Sequence, residues 1–144
     1  MYDRILLPTD GSEGFRAVAR HAGRLAAAHG ATVEVLAVAD TRNRFESPTA
    51  GLSTEAWSEA ERERASESIE AAREALPEGV AVETRLVEGV PKAAIMEAIE
   101  ASEADLVVMG THGRTGVDHY LVGSVAETVV RQSPVPVLTV QLGD

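Results

Sequence analysis

The feature that most constrains the fold is an alternation between short apolar stretches and longer stretches with helical periodicity. The apolar stretches predict strands at residues 2–8, 32–39, 80–87, 105–109 and 135–140. Continuous apolar strands are typical of a parallel sheet that is covered on both faces. Helix-length connections between such strands predict a doubly wound α/β sheet with right-handed crossovers. The order βαβαβαβαβ therefore indicates a five-stranded parallel sheet, with the alternating third strand at or near an edge.

Each predicted helix carries one apolar face, which we expect to pack against the sheet. The first helix is expected to be capped by Asp10 or Ser12 and to end at Gly30. Pro91 suits the first position of the third helix. The second helix, residues 53–76, is rich in Glu and Arg, and its charged faces are expected to be solvated. The apolar faces of the first three helices are Phe15, Val18, Ala19, Ala22, Leu25 and Ala26, then Ala65, Ile69, Ala72 and Leu76, then Ala94, Ile95, Ala98 and Ile99. A fourth helix is predicted from about residue 121 to 132, because Leu121, Val122, Val125, Ala126, Val129 and Val130 repeat at helical spacing.

Composition bounds the class of protein. The chain has 144 residues, 44% of them hydrophobic, so we expect one domain over residues 1–144 with a substantial core. It has no cysteine, which excludes disulfides and thiol chemistry. No apolar run approaches the about 20 residues of a membrane span. The first residues enter a strand pattern rather than a signal peptide. We therefore predict a cytoplasmic protein.

The charge balance is strongly acidic. A net charge of −10 disfavours nucleic acid and anionic membranes as partners, because both select basic surfaces. Lys92 is the single lysine beside twelve arginines. An acidic, lysine-poor surface suits a halophilic, high-salt cytoplasm, in which charge repulsion is screened. An ordinary acidic protein of a GC-rich genome would have the same composition, so both interpretations stand.

A strand, a glycine-rich loop and a helix start follow one another in residues 105–130. The strand ends at Gly110, Gly113 follows in the loop, and Gly123 and Ser124 lie at the head of the helix. The first N–H groups of a helix have no internal partner and the helix dipole favours an anion there. Glycines let the backbone approach a phosphate closely. The pattern predicts a phosphate site; the simpler alternative is a connecting loop in which glycines only provide turns.

The glycine spacing discriminates between known phosphate loops. From Gly110 to Ser124 it reads G-x2-G-x9-G-S, which is neither the Walker pattern nor the dinucleotide fingerprint. It matches the G-x2-G-x9-G-S/T motif of nucleotide-binding universal stress proteins. Residues 5–12 resemble the first strand and turn of that family, and residues 133–138 resemble its last strand. The resemblance covers the whole chain.

The resemblance implies the strand order 3-2-1-4-5, as in the adenine nucleotide alpha hydrolases. In that order strands 1 and 4 are neighbours at the switch point, where such sheets bind ligands beyond their carboxyl ends. Asp10 and Gly110 would then line one crevice. By the same resemblance, Pro8 and Thr9 frame the adenine, and Val38 meets the base. The nucleotide-binding residues that the resemblance implies are Pro8, Thr9, Asp10, Val38, Met109, Gly110, Thr111, Gly113, Arg114, Gly123, Ser124 and Val125.

Several of these residues have a second interpretation. Asp10 either caps the first helix or, as in the family, binds ribose or a phosphate-bound Mg²⁺ through water. Arg114 either reaches phosphates or is an exposed loop residue. Val38 can be a core residue and still meet the base. His112 and His119 have no metal-binding partners at suitable spacing, so we predict no zinc site and solvent-facing loop histidines. His21 and His29 are expected to face solvent.

The resemblance implies an ATP-binding, homodimeric module in stress response, which binds ATP or another adenine nucleotide together with Mg²⁺. The dimer would form through the apolar strand Val135 to Val140, because an exposed edge of that kind is usually paired. Pro134 and Pro136 could instead keep that edge monomeric. One alternative function is a nucleotide-independent interaction protein of the same fold. The other is an ATPase, expected to be slow because no catalytic residues can be identified. The client protein is not encoded in any recognisable pattern.

Overall fold

The computed structural model describes residues 1–11, 14–41, 54–111 and 124–141. Strands and helices alternate along the described chain. Their bounds are β1 (Arg4–Thr9), α1 (Phe15–His29), β2 (Thr32–Asp40), α2 (Thr54–Ala75), β3 (Ala81–Gly89), α3 (Pro91–Ser102), β4 (Leu106–Gly110), α4 (Ser124–Gln132) and β5 (Val137–Val140).

The five strands form one parallel sheet in the order β3-β2-β1-β4-β5. This confirms the predicted α/β class, the strand order and the edge position of the third strand. Successive side chains of a strand point to opposite faces. In β1, Ile5 and Leu7 accordingly pack with α1 and α2, while Leu6 packs with α3 and α4. The sheet is covered on both faces, which explains why its central strands are mostly apolar on both sides.

Helices α1, α2 and α3 bury the faces that their periodicity predicts. In α4, Ala126 and Val129 are buried, but Val130 is 50% exposed, and the predicted helical residues Leu121 and Val122 lie outside the described residues. Val18, Ala19, Ala22 and Ala26 of α1 are buried, and Phe15 and Leu25 are partly buried against the same core. The predicted stripe of α2 and the predicted face of α3 are buried throughout. Because alanine is common on these faces, the helices can approach the sheet closely. None of the helices in the described residues is both long and apolar enough to cross a membrane.

The start of α1 differs from the prediction. Capping by Asp10 or Ser12 is wrong, because the helix begins at Phe15 and Gly14 occupies the capping position, with φ of 84° and no side-chain capping hydrogen bond. Gly11 also has positive φ, 76°, which directs the chain away from an immediate helix start. The helix end is as predicted, with Gly30 in a left-handed conformation after His29.

Two smaller predictions also need correction. His29 does not simply face solvent: it is half-buried, and its Nδ1 accepts a hydrogen bond from the Tyr2 N–H at 3.3 Å. The last strand begins at Val137 rather than Val135. Pro136 precedes it, and the carbonyl of Pro136 accepts a hydrogen bond from the Val107 N–H at 3.0 Å. Proline has no N–H to donate, which limits the regular ladder at that point.

An ion network ties together the amino-terminal halves of β1, β2 and β3. Arg4 lies 3.0 Å from Glu34 and 2.9 Å from Glu83, and Arg85 lies 3.3 Å from Glu34. The Glu34 side chain is 5% exposed, and its two guanidinium partners lie against its buried carboxylate. The hydrogen bond between Arg4 and Glu83 lowers the pKa of the Glu83 carboxyl and raises the pKa of Arg4.

Candidate functional site

The strands β1 and β4 are neighbours at the point where the strand order of the sheet reverses. Their register pairs only Ile5 with Leu106 and Leu6 with Val107. β1 stays paired with β2 as far as Thr9, and β4 stays paired with β5 as far as Gly110. Pro8 has no N–H for a ladder and lies beyond the last β1–β4 pair. The carboxyl ends of β1 and β4 therefore form the part of the sheet at which such folds take a ligand.

The carboxyl ends of β1 and β4 carry the described residues of the predicted site. Pro8, Thr9 and Met109 are buried, whereas Asp10, Gly110 and Thr111 are half-buried. The Thr111 N–H donates to the carbonyl of Val140 at 3.1 Å, which fixes the chain just after β4. The predicted grouping of β1 and β4 residues is thus present at adjacent strand ends.

A tight turn sets the position of Asp10. The hydroxyl of Thr9 accepts a hydrogen bond from the Gly11 N–H at 3.2 Å, so the backbone folds around Asp10. A Cβ at Gly11 would lie 2.6 Å from Oγ of Ser68, which belongs to α2. Glycine is favoured at position 11 for two reasons: its φ is positive, and the Ser68 side chain of α2 lies directly against it.

Val38 belongs to the adjacent strand. Thr9 pairs with Ala37 in the β1–β2 register, so Asp10 and Val38 follow at the neighbouring strand ends. Val38 is 9% exposed and packs in the core beneath α3 and α4. The core interpretation of Val38 is confirmed, and a contact with a base remains compatible with it.

The helix α4 begins at Ser124, the hydroxyl residue of the glycine pattern. Val125 is half-buried and packs against the core beneath α3 and α4. The predicted site residues Gly113, Arg114 and Gly123 lie outside the described residues. So do His112 and His119. The described chain therefore includes the strand ends and the helix, while the loop between them can be assigned only from sequence.

Sequence reasoning missed Arg64. Its guanidinium Nη1 donates to the carbonyl of Asp10 at 3.1 Å, and Nη2 approaches the carbonyl of Val38 at 3.5 Å. Its partner Glu61 is 13% exposed, so these two residues are not on a solvated face as predicted. A signal was available: positions 61 and 64 lie at helical spacing from the buried Ala65 and Ser68, on the face that meets the sheet.

The acidic residues of the described chain do not converge. Within residues 1–11, 14–41, 54–111 and 124–141, no three His, Cys, Asp or Glu side chains form a group that could hold a metal ion. Asp10 offers one carboxylate at the predicted crevice. A single carboxylate suits Mg²⁺ that keeps several waters and is bound mainly by substrate phosphates. The donor set fits a metal that accompanies a nucleotide better than a resident metal.

Comparison with known proteins agrees with this architecture. The model of the universal stress protein family matches residues 1–141. Universal stress protein MJ0531 of Methanocaldococcus jannaschii is 39% identical over 146 residues, which cover 98% of this chain and 83% of that protein. The solved structure of protein MJ0577, from the same organism, superimposes with a TM-score of 0.82 at 30% identity, over 100% of this chain and 99% of that one.

Two further solved structures contain nucleotides. A universal stress protein in complex with cAMP has a TM-score of 0.67 and 28% identity, covering 99% of this chain and 98% of that one. The Archaeoglobus fulgidus universal stress protein in complex with dAMP has a TM-score of 0.63 and 25% identity, covering 96% and 97%. The match of the family model over residues 1–141 and the identity to MJ0531 show that the chain belongs to the universal stress protein family.

Proposed function

We propose that this chain is an ATP-binding universal stress protein, a homodimeric nucleotide-binding module of the cytoplasm that acts in stress response. The observation that carries the proposal is the position of Asp10 and Gly110 at adjacent ends of β1 and β4, where the register between these strands has stopped. The G-x2-G-x9-G-S spacing then leads from that point to the start of α4.

The glycine loop would hold the phosphates. Backbone N–H groups of Gly113, Arg114 and Val125 and the hydroxyl of Ser124 would donate to phosphate or ribose oxygens. Gly110 and Gly123 would let the chain approach them. Since the net charge of −10 repels ATP at long range, binding must come from these local donors and from Arg114. High salt would reduce the repulsion, because the Debye length falls to about 3 Å at 1 M.

The strand ends would hold the adenosine. Pro8 and Thr9 would frame the adenine, with Val38, Met109 and Thr111 lining the nucleotide. Asp10 would bind ribose hydroxyls or a Mg²⁺ on the phosphates through water, since a bare carboxylate would repel them. The cAMP and dAMP complexes of related proteins support an adenine nucleotide as the ligand class, because both ligands share the adenine ring.

The dimer would form through the sheet edge at β5. This strand is at the end of the sheet, and Leu138 on it is 38% exposed. An apolar edge strand favours pairing with a second copy, and a two-fold axis would make the contact isologous.

Equilibrium dialysis with radiolabelled MgATP tests the proposed function. The purified protein is first unfolded and refolded to remove any bound nucleotide. Saturable binding with the ATP recovered intact is the expected result. Steady release of phosphate would assign the slow ATPase function instead. A folded protein that retains no nucleotide would contradict the proposal and favour an interaction protein of the same fold.

A further inference from the structure

The helix α2 is joined to the carboxyl ends of β1 and β2 by one side chain. The two guanidinium nitrogens of Arg64 reach two backbone carbonyls: Nη1 donates to Asp10 at 3.1 Å and Nη2 to Val38 at 3.5 Å. The Arg64 side chain is 25% exposed. A planar guanidinium has its donors in a fixed arrangement, so one arginine can hold two acceptors at a set separation.

Glu61 orients that guanidinium. Its Oε1 lies 3.1 Å from Nη2 of Arg64, and its Oε2 accepts from Nε at 3.3 Å. Oε1 also accepts a hydrogen bond from the N–H of Asp40 at 3.2 Å. Glu61 and Arg64 together therefore bind three backbone groups at the ends of two adjacent strands, and we call this pair the strand-end clip.

One turn beyond Arg64, α2 also packs against the turn that follows β1. The hydroxyl of Ser68 donates to the carbonyl of Arg64 at 3.0 Å, and Ser68 lies directly against Gly11. Ser68 is 4% exposed. The close approach of α2 to the turn after β1 fixes where the Arg64 side chain begins, so the clip has a defined reach.

We propose that Arg64 is a positioning and specificity-determining residue of the nucleotide site, an inference that rests on the proposed function. Arg64 holds the backbone at Val38, which the proposed function places against the base, and at Asp10, which it assigns to the ribose or to a phosphate-bound Mg²⁺. A backbone that reads the purine edge discriminates only if its position is fixed, because a displaced carbonyl or N–H can accommodate another base. Arg64 therefore acts on adenine selectivity more than on phosphate binding.

Lysine cannot replace arginine in the clip. Its ammonium group is a single point charge on a flexible stem. It cannot reach the carbonyls of Asp10 and Val38 while it pairs with both oxygens of Glu61. Arg64→Lys thus keeps the charge of the protein but removes the paired contacts to the two carbonyls and Glu61. The variant therefore distinguishes the positioning of the backbone from electrostatic attraction of the ligand.

The test measures the dissociation constants of MgATP and MgGTP for the wild type, Arg64→Lys and Arg73→Lys. Arg73 is the matched control, because it pairs with Glu70 at the same i,i+3 spacing on the same helix but lies 52% exposed. We expect Arg64→Lys to weaken ATP binding about tenfold, as for the loss of one or two hydrogen bonds. GTP binding should weaken by less than about threefold. Arg73→Lys should change neither.

Glu61→Gln is the second variant, because it retains an acceptor for Asp40 and loses the two-oxygen pairing with Arg64. Like Arg64→Lys, it should lower the ratio of the GTP dissociation constant to the ATP dissociation constant, but by a smaller factor. It also keeps the test valid if Arg64→Lys does not fold. An unchanged ratio in both clip variants, or an equal loss of ATP and GTP, would overturn the inference. A wild type that binds neither nucleotide would instead contradict the proposed function itself.

Discussion

Arg64 and Asp10 are joined by a hydrogen bond of 3.1 Å from guanidinium to backbone carbonyl, across 54 residues of sequence. The bond connects the middle of α2 to the end of β1, at the point where the central strands of the sheet are no longer in register. A helix on one face of the sheet thereby controls the backbone at its carboxyl edge. This connection links the packing of the fold to the proposed ligand site.

Gly11→Ala should destabilise the protein by about 1–3 kcal/mol, because the new methyl group would lie 2.6 Å from Oγ of Ser68 in a backbone with φ of 76°. Gly79→Ala is the matched control, since Gly79 has φ of 91° and no atom lies within 4 Å of the position that its Cβ would take. Gly79→Ala therefore reports backbone strain alone. Urea unfolding gives the free energy of unfolding of both variants, and Gly11→Ala should lower it more than Gly79→Ala.

A double-mutant cycle separates the two causes further. Ser68→Ala removes the oxygen that the Gly11→Ala methyl group would meet, so the cost of Gly11→Ala should fall in that background. Equal costs with and without the Ser68 hydroxyl would show that α2 does not press against the turn at Gly11.

Acid should weaken the link between β1 and β3. The hydrogen bond from Arg4 lowers the pKa of the Glu83 carboxyl in the folded protein. The ion pair therefore stabilises the fold fully above the unfolded-state pKa of about 4.3. This stabilisation is lost as the pH falls through the lower folded-state pKa. Glu83→Gln should therefore make the free energy of unfolding less dependent on pH in that range. Glu70→Gln makes the same charge change elsewhere on the surface, and identical pH profiles for the two variants would contradict the assignment.

Asp10→Ala should weaken ATP binding mainly when Mg²⁺ is present, if the carboxylate acts through a metal on the phosphates. Affinities measured with Mg²⁺ and with a chelator give the comparison. The Asp10 carbonyl that Arg64 holds is unaltered by this change. An equal loss in both conditions would indicate a ribose contact in place of the metal.

Leu138→Arg should convert the proposed dimer into a monomer, because it places a charge on an apolar edge strand that a second copy would cover. Sedimentation velocity gives the mass, and Val130→Arg on the exposed side of α4 is the control. A wild type that sediments as a monomer would rule out the proposed dimer.

The sheet could be predicted from sequence because its signals are local and repeated. Buried strands such as β1 and β4 contain continuous apolar runs, and the stripe from Ala65 to Leu76 has helical period. The clip could not be predicted in the same way. In the sequence, Arg64 and Glu61 look like an exposed i,i+3 pair. Their backbone partners at the ends of β1 and β2 are distant in sequence and come together only in the folded chain.

The cap of α1 illustrates a second limit. Asp10 and Ser12 have the right chemistry for capping, but positive φ at Gly11 and Gly14 delays the helix to Phe15. His29 likewise gains its partner, Tyr2, from the other end of β1 rather than from its own helix. The glycine loop between Thr111 and Ser124 rests on its sequence pattern, and its role stays a prediction.

The most direct measurement is calorimetric titration of the refolded protein with MgATP, at low and at multimolar KCl, beside the Gly123→Val variant. We predict saturable binding of micromolar affinity or tighter that survives high salt. We also predict no binding by Gly123→Val, with a circular dichroism spectrum like that of the wild type. Absence of binding by folded wild type at either salt concentration, or full affinity in Gly123→Val, would contradict the assignment of the glycine loop to the nucleotide.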